Sequence, residues 1–91
     1  MGAVTDVMRK KLSVAFSPDL LEIEDDSARH QGHAGAQPGG ETHFNVVIQA
    51  PVFKGMGRVQ RQRAVYAALA EALAGPVHAL SVKALAPGEG R

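Results

Sequence analysis

Near the middle of the chain, Phe44, Val46, Ile48 and Ala50 are apolar at every second position, with His43, Asn45 and Gln49 set between them. Successive side chains of a β-strand point to opposite faces, so this spacing describes a strand with one dry face and one polar face. The dry face must be covered by another layer of the same fold. An earlier stretch repeats the pattern, Leu21 and Ile23 alternating with Glu22 and Glu24. The two strands are expected to pair as an antiparallel hairpin. At 91 residues the chain is long enough for one domain and one core, but not for two.

Helices supply the covering layer. Val4, Met8, Leu12 and Phe16 recur at intervals of four, with Ala15 alongside, which is one apolar stripe of an amphipathic helix. Ser17-Pro18-Asp19 ends it, because proline cannot continue the hydrogen-bond ladder. From Arg58 to Ala74 the residues are strong helix formers, and Gln62, Tyr66, Leu69 and Leu73 share one face. Gly57 is a weak cap at its start, a short helical turn is expected around Gly55 to Arg58, and Gly75-Pro76 stops the helix. Val77 to Ala86 reads as a last strand, with Leu80, Val82 and Ala84 on one face and Ser81 and Lys83 on the other, followed by a tail, Pro87 to Arg91, expected to fray. This order predicts an α+β two-layer sandwich: a three-stranded mixed sheet covered on one face by helices. A helix between the second and third strands implies a parallel pairing with a right-handed crossover.

The stretch 27–40, between the first two strands, is rich in Gly and Ala and carries Pro38, His30 and His33. It reads as a long hairpin loop, flexible and polar, and loops of this length in a small domain are usually functional or mobile. Gly32-His33-Ala34-Gly35 has the four-residue spacing of the KH-domain GxxG turn, but that turn joins two helices, so the match here is a coincidence.

Charge and composition exclude several classes. No apolar run approaches the roughly 20 residues that span a bilayer, so no membrane association is expected, and the default compartment is cytoplasmic. Net charge is +1, which gives no strong overall field for nucleic acid or lipid. Basic residues cluster at Arg9-Lys10-Lys11 and at Lys54, Arg58, Arg61 and Arg63, and acidic ones at Glu22, Glu24, Asp25 and Asp26; both read first as solvated faces. If the chain binds DNA, then Lys54, Arg58, Arg61, Arg63 and Lys83 are the expected phosphate contacts. No nucleophile elbow, phosphate-binding glycine loop or evident carboxylate pair is present, so no enzyme activity is expected.

The chain has no cysteine, so no disulfide and no thiolate metal ligand comes from it. Its four histidines are then the side chains suited to metal ligation. His43 opens the second strand and is expected to hydrogen-bond to the neighbouring loop. His78, at the start of the last strand, is expected at the rim of the apolar face. His30 and His33 have no packing reason for their place in the loop.

Four segments, Gly40-Glu41-Thr42-His43-Phe44, Phe53-Lys54-Gly55, Arg61-Gln62-Arg63-Ala64-Val65-Tyr66 and Val77-His78-Ala79-Leu80-Ser81, together resemble the BolA family, and the resemblance runs from about Val4 to Ala86. It implies a class II KH-like fold and a role in iron-sulfur cluster assembly or trafficking, or in iron or redox sensing. Such proteins share a 2Fe-2S cluster with a monothiol glutaredoxin, which supplies a cysteine while bound glutathione supplies a second thiolate. The BolA partner supplies a loop histidine and the histidine opening the last strand. By this resemblance the ligands are His78 and His30, placed by its distance after Asp25-Asp26-Ser27, with His33 as the alternative loop ligand. No cluster is expected to stay on the isolated chain, which is expected to be a monomer or a weak homodimer paired through an open strand edge. Two imidazoles in place of thiolates would raise the cluster potential and make ligation sensitive to pH near the ordinary imidazole value of about 6.5. Some members of the family are described as transcriptional regulators, which makes DNA the alternative partner. One departure is Gln62, where the family usually has the histidine of an Arg-His-Arg triplet; an ionisable group at that position is lost.

Overall fold

A computed structural model describes residues 3–25, 43–75 and 77–89. The elements are α1 (Ala3–Phe16), β1 (Leu20–Asp25), β2 (His43–Gln49), a single 3-10 turn (Pro51–Phe53), α2 (Arg58–Ala68), α3 (Ala70–Ala74) and β3 (Ala79–Leu85). They form a three-stranded sheet in the order β1-β2-β3. β1 and β2 are antiparallel, with Ile23 opposite Val46 and Leu21 opposite Ile48. β2 and β3 are parallel, with Phe44 beside Leu80 and Val46 beside Val82. The mixed sheet and its helical cover agree with the alternation and the helix stripes in the sequence.

Along β2, Phe44, Val46 and Ile48 are buried while the residues between them are half-buried. These three meet Met8 and Leu12 of α1 and Val65 of α2, and with Leu69, Phe53 and Val77 they form the core. α1 ends where Ser17 turns left-handed, at φ 46°, and its N–H donates to the Ser13 carbonyl at 3.0 Å. That closes the last helical turn before Pro18. Phe16 then lies 5.2 Å, ring centre to ring centre, from Phe53 and joins the helix end to the 3-10 turn.

Four details differ from the expectations drawn from the sequence. The single helical turn falls at Pro51–Phe53, with proline as its first residue, rather than around Gly55 to Arg58. The long helix is divided at Leu69, whose backbone leaves the helical region at φ −105° and ψ 17°. Its dry face is Val65, Leu69 and Ala72, one residue round from the expected Gln62, Tyr66, Leu69 and Leu73. The tail is also held further than expected: Glu89 accepts hydrogen bonds from the Ala86 N–H and from Arg61. The stretch 27–40, with His30, His33 and the GxxG match, lies outside the described residues.

Candidate functional site

Parallel strands begin at the same end of a sheet, so the start of β2 and the start of β3 are neighbours. His43 lies beside Ala79 in the register. His78 directly precedes that alanine, and its ring centre is 6.3 Å from that of His43, with the planes at 68°. β1, running the other way, finishes at this end too, where Asp25 pairs with Phe44. Thus the end of β1, the beginning of β2 and the beginning of β3 converge.

His78 is exposed but its neighbours are fixed. Val77, 3% exposed, is seated in the core, and its N–H donates to the Ala72 carbonyl at 3.0 Å. Two residues beyond His78, the Tyr66 hydroxyl donates to the Leu80 carbonyl at 3.1 Å. The imidazole is therefore presented to solvent from a backbone pinned on both sides. Its ring meets that of His43 edge-on. Sequence reasoning assigned the two histidines separately; the signal that joins them is that each opens one of two parallel strands. Among the described residues no group of three or more metal-ligating side chains converges.

The basic residues divide. Arg58, Arg61 and Lys83 line one cleft between α2 and β3, of about 460 Å³, together with Gln62, Val82 and Glu89. Lys54 and Arg63 are exposed but do not line it. Arg61 is already engaged. Its Nε donates to the Met56 carbonyl at 2.9 Å, its Nη1 to the Ala84 carbonyl at 3.2 Å, and both terminal nitrogens to the Glu89 carboxylate. Arg61 in turn holds the Glu89 carboxyl well below the ordinary range, down to about 2, with the Ala86 N–H helping. The same hydrogen bonds raise the guanidinium above its usual value. Gln62, in the place of the family's usual histidine, contributes a neutral amide to the cleft wall.

The BolA-like protein family model matches residues 12–89. This chain belongs to the BolA family. BolA-like protein 1 of Homo sapiens is 46% identical over 91 residues, covering 100% of this chain and 64% of its own length. The chain spans only 62 to 64% of the length of that protein and its mammalian counterparts. A protein of Escherichia coli K12 called DNA-binding transcriptional regulator BolA is 39% identical over 79 residues, 87% of this chain and 71% of that protein. Among solved structures, the BolA domain of SufE1 from Arabidopsis thaliana superposes with a TM-score of 0.87 at 39% identity, over 99% of both chains. BolA1 from the same plant superposes with a TM-score of 0.85 at 38% identity, over the whole of both.

Proposed function

We propose that this BolA protein is a binding and assembly module that shares a 2Fe-2S cluster with a monothiol glutaredoxin, in iron-sulfur cluster assembly or trafficking, or in iron or redox sensing. The observation that carries this reading is the exposed imidazole of His78, held on a fixed backbone at the end of the sheet where β1, β2 and β3 meet. The donor set fits a shared cluster. With no cysteine, this chain offers no thiolate, so the thiolates of such a cluster would come from the glutaredoxin and its glutathione. His78 would be one ligand. The chain that carries His30 and His33 leaves β1 after Asp25 and enters β2 at His43, both at the same end as His78, which favours a loop histidine as the second ligand. The cluster supplies electron transfer and exchange; this chain's residues supply its binding, its orientation and the selection of the partner. The role is non-enzymatic, in keeping with a family that is not one of enzymes.

The test is the visible absorption and circular dichroism of a 2Fe-2S-loaded monothiol glutaredoxin titrated with this protein. Wild type is expected to change the spectrum and saturate at one equivalent. His78→Ala and one of His30→Ala or His33→Ala are expected to abolish the change, and a wild-type titration without any change overturns the reading.

A second reading, DNA binding, draws on the name of the Escherichia coli relative, a DNA-binding transcriptional regulator, and on Arg58 and Lys83 lining the cleft. The engagement of Arg61 by Glu89 removes one of its expected phosphate contacts. The two readings separate by salt: phosphate contacts make affinity fall steeply with ionic strength. A cluster held by coordinate bonds should tolerate moderate salt.

A further inference from the structure

The cleft between α2 and β3 holds a feature that cluster sharing does not use. β3 is an edge strand. The Leu85 carbonyl accepts from the Ala50 N–H, so that residue faces inward. In a parallel ladder the backbone groups of successive residues alternate in direction, so Leu80, Val82 and Ala84 carry theirs on the outer side. Side chains of α2 cover the two ends of this edge. The Tyr66 hydroxyl donates to the Leu80 carbonyl, and Arg61 Nη1 donates to the Ala84 carbonyl. Between them Val82 lines the cleft, with Arg58, Arg61 and Lys83 around it.

A carboxylate already sits there. Glu89 makes a two-pronged pair with Arg61, at 2.5 and 3.0 Å, on a guanidinium whose Nε–H and second Nη1–H are directed at the Met56 and Ala84 carbonyls. A guanidinium so fixed is organised in advance for a planar carboxylate. Glu89 lies on a segment that leaves the sheet through the turn after Ala86, and its side chain is 44% exposed. It thus lines the cleft from a segment outside both the sheet and α2. The geometry points to a carboxylate-recognition site, held in cis by Glu89, for which an extended acidic segment of a partner protein competes by laying its backbone along β3 at Val82.

The chemistry favours peptide over nucleic acid. An edge strand offers alternating N–H and C=O groups that match another extended polypeptide and have no counterpart in a sugar-phosphate chain. Arg58 and Lys83 remain to attract acidic side chains on either side of the central carboxylate. This inference is independent of the histidine end of the sheet.

The test is fluorescence anisotropy with a labelled short peptide of alternating valine and glutamate, a control peptide with lysine for glutamate, and a single-stranded oligothymidylate. If Glu89 holds the site nine-tenths of the time or more, its removal raises peptide affinity by at least about tenfold, because apparent affinity scales with the fraction of competent sites. Glu89→Gln keeps the shape and an acceptor for the Ala86 N–H, and is expected to give that gain for the acidic peptide and not for the lysine control. Arg58→Ala with Lys83→Ala, both exposed positions, is expected to lower acidic-peptide affinity about tenfold or more in either background, a readout that stands even if Glu89→Gln does not fold. The proposal is overturned if folded Glu89→Gln binds the acidic peptide no better than wild type. Equal binding of the lysine control overturns it, as does an oligothymidylate that binds tighter than the peptide and responds to the same substitutions.

Discussion

Val46 and Val47 are adjacent in β2 and identical in type, yet they face opposite sides of the sheet. Val46 is 1% exposed, with Ile23 and Val82 as its cross-strand neighbours. Val47 is half-buried, between Glu22 and Lys83. Threonine replaces one methyl by a hydroxyl at nearly the same volume and with similar strand preference, so the backbone contribution largely cancels. At Val46 the hydroxyl has only hydrocarbon side chains across from it, and an unpaired buried hydroxyl costs about 2 kcal/mol. At Val47 the hydroxyl meets water and charged neighbours, and the cost should stay within about 0.5 kcal/mol. With a urea slope of about 1 kcal/mol per molar, Val46→Thr should lower the unfolding midpoint by about 2 M and Val47→Thr by less than about 0.5 M. By heat, the Val46→Thr loss corresponds to about 10 °C. Urea titrations followed by far-ultraviolet circular dichroism measure both. Equal losses at the two positions would show that the second face of the sheet is also covered, for instance by another copy of the chain, and would refute the one-sided sandwich.

Three further outcomes follow from particular residues. Gly55 adopts φ +84° with open space where a Cβ would go, so Gly55→Ala should cost about 1 kcal/mol from backbone strain alone, visible as a lower thermal midpoint. Ser17 holds φ 46° without being glycine, and Ser17→Gly should raise the thermal midpoint by a few degrees as that strain is relieved. Glu89 titrates in the folded protein at about 2, below its ordinary 4.5, so its contribution is fully present above pH 4.5 and is lost as pH falls toward 2. The difference in thermal midpoint between wild type and Glu89→Gln should therefore be largest above pH 4.5 and shrink toward pH 2, and should be smaller in high salt.

The sheet was legible in the sequence because a period of two is a local signal. Phe44, Val46 and Ile48 name their own face, and the parallel pairing follows from the helix that separates β2 from β3. The break at Leu69 was not legible, because the surrounding residues are all good helix formers and neither Gly nor Pro marks it. The rotation of the dry face of α2 has a similar origin: Tyr66 reaches over the edge of β3 to the Leu80 carbonyl, so a residue that scores as apolar is used for its hydroxyl. The pinning of the tail was hidden for a different reason. Arg61 and Glu89 are far apart in the chain, and ion pairs of that separation have no spacing rule. Of the histidines, His78 was singled out by the motif around it, while its proximity to His43 emerges only once both strands are laid side by side.

The mixed order of the sheet also governs how the molecule comes together in time. β2 gains its first partner only after the chain at 26–42 has closed, and its second only after 50–78 has closed. Contacts this remote in sequence slow folding, toward the range of milliseconds to seconds rather than microseconds. On a ribosome the central strand would emerge well before β3 exists to flank it, leaving the row Phe44, Val46 and Ile48 without half of its shelter. The interval before Ala79–Leu85 arrives is when this chain is most exposed to chaperones, to proteases and to the wrong strand.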